Sequence, residues 1–223
     1  MALDRRAELA ANLAEIKGQI GDGIHLIVVT KTFPLSDVEI LHELGVSEFG
    51  ENRDQEGRIK APNVPGKWHF QGQLQSNKLK SICGWADVIQ TVDSLRYVEL
   101  ISKAVQSYPG KKLEVFIQVS LDDPANRSNR AGAEVSELHE IADQILATEN
   151  LSLQGLMAVA PLNESPDSAF ERLAKIHSSF TEKYPNSPYL SAGMSGDFKS
   201  AIAHGATHIR IGSQILGSRN LNL

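Results

Sequence analysis

The feature that most constrains the fold is a regular alternation of short β-type segments with helical segments along the chain. Segments rich in branched and aromatic residues predict strands, and apolar residues at helical spacing fill the stretches between them. Eight such repeats in 223 residues favour a single closed (β/α)8 TIM barrel over an open sheet. The predicted strands are residues 24–30, 47–49, 68–71, 88–92, 113–120, 153–159, 189–192 and 207–211.

The helical pattern adds one helix before the first strand, where Leu9, Leu13 and Ile16 recur at helical spacing. The chain contains no Gly/Ser-rich or proline-rich linker, so residues 1–223 are expected to form one domain. The polar segment 121–132 predicts an exposed loop. The principal predicted helices are residues 4–19, 36–44, 94–107, 134–147, 166–183 and 197–204. Three serines are predicted to cap helix N-termini: Ser36, Ser94 and Ser195.

Composition argues against several classes of partner. The net charge is −5 with acids and bases interspersed, which predicts no nucleic-acid binding. No run approaches the roughly 18 apolar residues of a membrane span, and the N-terminus lacks the apolar core of a signal peptide. One cysteine, Cys83, cannot form an internal disulfide. Together these features predict a cytoplasmic protein that binds no membrane.

Lys31 follows the first predicted strand, at the end of the barrel where functional groups lie. In IHLIVVTKTFP, residues 24–34, an apolar strand runs directly into Lys31, and strand two is followed by Asn52. Functional groups of (β/α)8 barrels lie at the C-terminal ends of the strands. Lys31 is therefore either a surface lysine beyond a buried strand or a reactive amine.

The last two strands predict a phosphate site. Ser195 and Gly196 precede a predicted helix, whose free N–H groups favour an anion, and Gly212 and Ser213 follow strand eight. Loops after strands seven and eight are the usual phosphate site of this fold. Alone, Ser195 is explained as an N-cap and Gly212 as a turn, but on adjacent strands the phosphate interpretation is favoured.

Arg210 and His208 should face the barrel interior, because Ile209 and Ile211 between them should face the helices. A guanidinium there needs a partner, either an internal carboxylate or a bound ligand. An amine at the mouth, a phosphate site and an inward arginine together suit Schiff-base chemistry. Pyridoxal 5′-phosphate (PLP) fits this set, with Lys31 on its aldehyde and Arg210 on its ring nitrogen.

The sequence resembles the pyridoxal phosphate homeostasis protein family, a single-domain relative of the N-terminal barrel of alanine racemase that binds PLP. The resemblance covers residues 24–219 and rests on segments in the family's order: VVTKTFP, EFGENRDQE, WHFQGQLQSNK, VIQTVDS, GLMAV and LSAGMSGDFKSAIAHGATHIRIGSQILGSR. Arg53, Asp54 and the segment 121–132 depart from the family pattern, which leaves the rim of the site and any partner surface undefined.

The resemblance implies a role for each site residue. Lys31 holds PLP as a Schiff base, and Asn52 lies beside the 3-hydroxyl face of the ring. Arg210 faces the pyridine nitrogen. Met157 packs against the ring or is a core methionine, and His69 lines the barrel interior or is a satisfied core histidine. The remaining implied contacts are to the phosphate, from Ser195, Gly212 and Ser213.

The expected function is PLP binding in vitamin B6 and amino-acid homeostasis, without established catalysis. A racemase of the alanine racemase type adds a tyrosine base from a second domain, which this chain lacks, and its tyrosines fall away from the predicted mouth. Transient transfer of PLP to apo-enzymes is expected, and the lack of a second domain, which removes the racemase-type dimer contact, favours a monomer. A weak amino-acid racemase is the main alternative. A Schiff-base aldolase would need more carboxylates than Glu51 and Asp93 at the strand ends.

Overall fold

The computed structural model describes residues 2–122 and 131–218. Eight parallel strands form a closed barrel in sequential order, with β8 pairing back to β1. The predicted (β/α)8 barrel is confirmed, and each predicted strand is present with bounds shifted by a few residues. The strands are β1 (His25–Val29), β2 (Glu48–Glu51), β3 (Lys67–Phe70), β4 (Val88–Val92), β5 (Leu113–Gln118), β6 (Leu151–Met157), β7 (Tyr189–Met194) and β8 (His208–Ile211).

Helices cover the outside of the barrel, and the additional N-terminal helix is present. Within the described residues the helices are α1 (Ala2–Lys17), α2 (Leu35–Glu43), α3 (Asp54–Lys60), α4 (Leu79–Trp85), α5 (Leu95–Val105), α6 (Leu138–Leu146), α7 (Pro166–Lys183), α8 (Phe198–Ala203) and α9 (Ser213–Leu216). Leu9, Leu13 and Ile16 are buried, as their spacing predicts. None of the helices in the described ranges has the length and apolar character needed to cross a membrane.

The apolar core lies mainly between the strands and the helices. Outward-facing strand residues such as Val28, Phe49 and Ile209 belong to this large buried cluster. The inside of the barrel holds a much smaller apolar cluster of Val88, Phe116 and Met157. Much of the remaining interior is polar, so the side chains inside the barrel must satisfy one another by hydrogen bonds.

Two of the three predicted N-cap residues are wrong. Helix α2 begins at Leu35, with Pro34 rather than Ser36 at the cap position. Helix α8 begins at Phe198, with Asp197 at the cap position, so Ser195 lies outside the helix. Asp197 Oδ1 accepts a hydrogen bond of 2.6 Å from the Met194 N–H. This contact closes a turn across residues 194–197, and the helix begins after that turn. Ser94 does occupy the cap position of α5.

Most of the predicted loop 121–132 lies outside the described residues. Its two ends are described. Ala133 pairs with Val119 as an isolated parallel bridge, which holds the exit of the loop against the end of β5.

Candidate functional site

A cavity of about 280 Å³ opens at the C-terminal end of the barrel. This volume is close to the lower bound of about 300 Å³ for small-molecule pockets, so the cavity suits a compact ligand. Seven of the eight predicted site residues line it: Lys31, Asn52, Met157, Ser195, Arg210, Gly212 and Ser213. The eighth, His69, is not part of its wall.

The charge of the cavity wall is one-sided. Lys31 and Arg210 contribute two cationic side chains, and no carboxylate, histidine or tyrosine is among the described residues that line the cavity. A site with two cations and several hydroxyl and amide groups favours an anionic ligand that accepts hydrogen bonds.

The backbone before Lys31 is held by a buried ion pair. Lys60 of α3 donates to the Thr30 carbonyl at 2.8 Å and to Glu51 Oε1 at 2.7 Å. The Thr30 hydroxyl donates to the same Glu51 oxygen at 2.6 Å. The Glu51 side chain is fully buried; burial raises its pKa, although Lys60 and Thr30 favour the ionised form. Glu51 therefore faces α3 and does not supply the carboxylate at the mouth that the aldolase alternative invoked.

The backbone after Lys31 is held from the same helix. The Thr32 N–H donates to Glu56 Oε2 at 2.6 Å. Thr32 has a φ of 68°, a left-handed conformation that is uncommon for a residue other than glycine. Both neighbours of Lys31 are thus tied to α3, which fixes where the lysine leaves the barrel wall.

The groups predicted to hold phosphate come together at the mouth, although not by the predicted helix start. Ser195 and Gly196 lie in the turn before α8, which has only six residues. Gly212 and Ser213 begin α9 directly after β8. A Cβ on Gly212 would lie 3.1 Å from the Val29 carbonyl oxygen, so the absence of a side chain lets the two strand ends approach closely.

Arg210 is buried in the barrel interior beneath the cavity. Its Nη1 donates to Ser191 Oγ at 2.8 Å and its Nη2 donates to the Ala158 carbonyl at 2.9 Å. Burial lowers the pKa of Arg210 to about 10. The internal carboxylate considered as its partner is not found within 4 Å among the described residues, so the guanidinium is held by neutral groups.

His69, counted among the eight predicted cofactor-binding residues, lies inside the barrel and does not line the cavity. Its Nε2 is 3.0 Å from Glu48 Oε2, and its Nδ1 is 3.0 Å from Gln90 Nε2. Burial is the main cause that lowers the pKa of His69. Both ring nitrogens are used within the barrel, as expected of a satisfied interior histidine. Its register, pairing with Gly50 and Val88, places it below the mouth.

A second group of titratable residues closes the N-terminal end of the barrel. His25, Glu48 and His208 begin three adjacent strands, and His25 Nδ1 is 2.7 Å from Glu48 Oε1. The three side chains are close enough to suggest metal ligands. However, the His25 and His208 rings are stacked at 4.2 Å with an interplanar angle of 4°, so their in-plane lone pairs do not converge. We therefore interpret the group as a hydrogen-bonded cluster.

The buried histidines predict how stability depends on pH. Burial lowers the pKa of His208 to about 3, so its folded form stays neutral while the unfolded chain binds a proton below about pH 6.5. Between these two pH values the unfolded state binds more protons than the folded state. The free energy of unfolding should therefore decrease as the pH is lowered, by up to about 1.4 kcal/mol per pH unit. We expect His208→Asn to flatten this slope between pH 6 and 4 in urea titrations, with the His69 contribution remaining. An unchanged slope would show that His208 is protonated in the folded state.

Sequence reasoning missed Gln71, which follows β3 and lines the cavity. Its Nε2 is buried and has no hydrogen-bond partner among the described residues. A buried amide donor without a partner beside a cavity fits a ligand that supplies an acceptor. The signal was available, because Gln71 stands at the C-terminal end of a predicted strand. Gly72 next to it has no room for a side chain: a Cβ would lie 2.0 Å from the Asn52 carbonyl oxygen.

Comparison with known proteins places this geometry in a family. The family model described as "Alanine racemase, N-terminal domain" matches residues 5–220. The pyridoxal phosphate homeostasis protein of Corynebacterium glutamicum is 40% identical over 224 residues, covering 97% of this chain and 99% of the relative. The chain belongs to the pyridoxal phosphate homeostasis protein family. The family member of Mycobacterium tuberculosis is 36% identical and covers 97% of this chain and 90% of its own length.

Solved structures agree with this family assignment. PipY of Synechococcus elongatus PCC7942, solved with PLP bound, has a TM-score of 0.83 and 29% identity, covering 94% of this chain and 100% of that one. An alanine racemase of Clostridium difficile 630 has a TM-score of 0.77 at 16% identity, covering 97% of this chain and 58% of that one. At that identity the racemase shares the fold alone.

Proposed function

We propose that this chain binds PLP at the barrel mouth, through a Schiff base on Lys31, and serves PLP and amino-acid homeostasis. The observation that carries the proposal is the convergence of an amine, a guanidinium and a hydroxyl-rich turn on one cavity. The PLP-bound PipY structure and the homeostasis proteins of the family support PLP as the ligand.

The residues of the cavity fit PLP group by group. Ser195 and Ser213 offer hydroxyls, and Gly212 an open backbone, to the phosphate. Asn52 would lie beside the ring and the 3-hydroxyl of bound PLP, and Met157 would pack against the ring face. The two cations, with no carboxylate among the described residues of the wall, would balance the charge of the phosphate. The unpartnered Gln71 amide can donate to an acceptor on the ligand.

Arg210 would weaken bound PLP as an electron sink. PLP supplies an electron sink for amino-acid chemistry when its ring nitrogen is protonated. A permanent guanidinium facing that nitrogen disfavours the added proton, because two like charges would meet. The sink is therefore weak at this site.

The cavity also lacks the second base of a racemase among its described residues. The four tyrosines lie on α5, after it, at the end of α7 and at the start of β7. We therefore favour a carrier of PLP over an enzyme. We further propose that the protein supplies PLP transiently to apo-enzymes and acts as a cytoplasmic monomer. Racemase activity is the second candidate, supported by Lys31 at the cavity. Appearance of D-amino acids from L-amino acids at useful rates would favour it.

The proposal is tested by the visible spectrum of PLP-loaded protein, comparing the wild type with Lys31→Ala. We expect a Schiff-base band in the wild type and a spectrum of free aldehyde in the variant. Borohydride reduction should fix the cofactor to the peptide that contains Lys31. Lys175→Ala, which changes an exposed lysine on α7, is the control and should resemble the wild type. An unchanged Lys31→Ala spectrum would remove Lys31 from this role.

A further inference from the structure

One continuous chain of hydrogen bonds runs through the barrel interior, from the cavity to the opposite end. Arg210 Nη1 donates to Ser191 Oγ at 2.8 Å, and Ser191 Oγ donates to Gln90 Oε1 at 2.9 Å. Gln90 Nε2 contacts His69 Nδ1 at 3.0 Å, and His69 Nε2 contacts Glu48 Oε2 at 3.0 Å. Ser191, Gln90 and His69 are fully buried, so water does not compete for these bonds.

The direction of every bond in this chain follows from its two ends. Glu48 is an acceptor when ionised, so His69 must carry its proton on Nε2 and accept at Nδ1. Gln90 must then point its NH₂ group at His69 and its carbonyl oxygen at Ser191. Ser191 donates to that oxygen and is left to accept from Arg210, which can only donate. The charged ends thus leave one consistent arrangement for the three neutral groups between them.

We propose that Gln90, His69 and Glu48 are positioning residues that fix the Arg210 guanidinium toward bound PLP, with Glu48 setting the polarity from the far end of the barrel. The inference rests on the proposed PLP function. It gives His69 a role through Arg210 in place of a direct cofactor contact. It also assigns a binding role to Glu48, which begins β2 at the end of the barrel remote from the cavity.

Loss of the polarity has a defined consequence. If Gln90 turned its NH₂ group toward Ser191, the hydroxyl would face two donors, and its own proton would lose its acceptor. Arg210 would then either lose its Ser191 contact or shift toward the Ala158 carbonyl, its other partner. A shift of the guanidinium changes the field at the ring nitrogen of the ligand, which the absorption and induced circular dichroism of bound PLP report.

The test compares PLP affinity and the induced circular dichroism of bound PLP in Glu48→Gln and Gln90→Leu. Glutamine at position 48 no longer dictates the His69 tautomer, and leucine at position 90 interrupts the chain of hydrogen bonds. We expect PLP to bind 3- to 10-fold more weakly in both, with an altered dichroism band. Glu114→Gln is the matched control, because Glu114 pairs with Lys67 at the same end of the barrel and is not part of the chain of hydrogen bonds.

A double-variant cycle separates positioning from general destabilisation. Once Arg210 is replaced by methionine, adding Gln90→Leu should cause no further loss of PLP affinity, since the chain acts through Arg210. Additive losses, or single variants that lower stability while leaving affinity and dichroism unchanged, would overturn the proposal. Wild-type protein that binds no PLP would instead refute the proposed function itself. If Gln90→Leu does not fold, Glu48→Gln alone decides, because its site lies at the barrel end.

Discussion

Replacing Lys60 with methionine should lower the free energy of unfolding by about 3–5 kcal/mol, the usual cost of removing one partner from a buried ion pair. The Lys60 ammonium is buried and donates to Thr30 O, Glu51 Oε1 and Glu56 Oε2. Without it, Glu51 keeps a buried carboxyl group whose Oε2 already has no partner among the described residues. Urea unfolding followed by far-UV circular dichroism measures the change.

Two further variants define the cause of this effect. The double variant Lys60→Met with Glu51→Leu should recover most of the lost stability, because apolar residues of similar size often replace a buried pair at little cost. Lys175→Met removes an exposed pair with Glu171 and should change stability by less than about 0.5 kcal/mol. A Lys60→Met loss no larger than that of Lys175→Met would mean that the pair is hydrated in solution.

The barrel itself could be predicted because its signals are local. Alternating segments identify all eight strands, and the C-terminal position of Lys31 and Asn52 on their strands follows from the order of elements. Ile209 and Ile211 likewise predict that Arg210 points inward, as observed. These predictions need only periodicity and the rule that function in this fold lies at one end of the barrel.

Most of the errors arise where a residue's role depends on a contact with another element of the fold. His69 is held by Glu48 and Gln90, each 21 residues away, and the sequence gives no sign that these three meet. Glu51 points toward α3 because it forms an ion pair with Lys60 of that helix, and this contact depends on how the short helix packs. Ser195 was predicted to be a cap because serine favours that position, but Asp197 closes the preceding turn first. Tertiary contacts decide the cases of His69 and Glu51, and a local turn decides that of Ser195.

The polar interior connects these corrections to function. An all-apolar barrel would hold Arg210 only by the groups at the mouth, and its guanidinium could follow the ligand. Here Ser191 and the Ala158 carbonyl hold it from inside the barrel. The arginine is therefore part of the scaffold before any ligand arrives, which favours reversible binding with little reorganisation.

Arg210→Met is expected to weaken PLP binding by about 10- to 100-fold, corresponding to the roughly 1.5–3 kcal/mol of a hydrogen bond to a charged group. Methionine retains much of the buried volume, so the variant tests the guanidinium and not a cavity, which Arg210→Ala would create at this buried position. The dissociation constant for PLP is measured by equilibrium dialysis, with unfolding measured separately in urea.

Comparison with Arg58→Met, an exposed arginine on α3, separates the loss of a site residue from the loss of any positive charge. Arg58→Met should bind PLP as the wild type does, because its charge is solvated and it does not line the cavity. If Arg210→Met lowers stability yet binds PLP with wild-type affinity and an unchanged spectrum, the arginine serves only the barrel interior. Its neutral partners make that outcome the less expected one, since a structural arginine would be better served by an internal carboxylate.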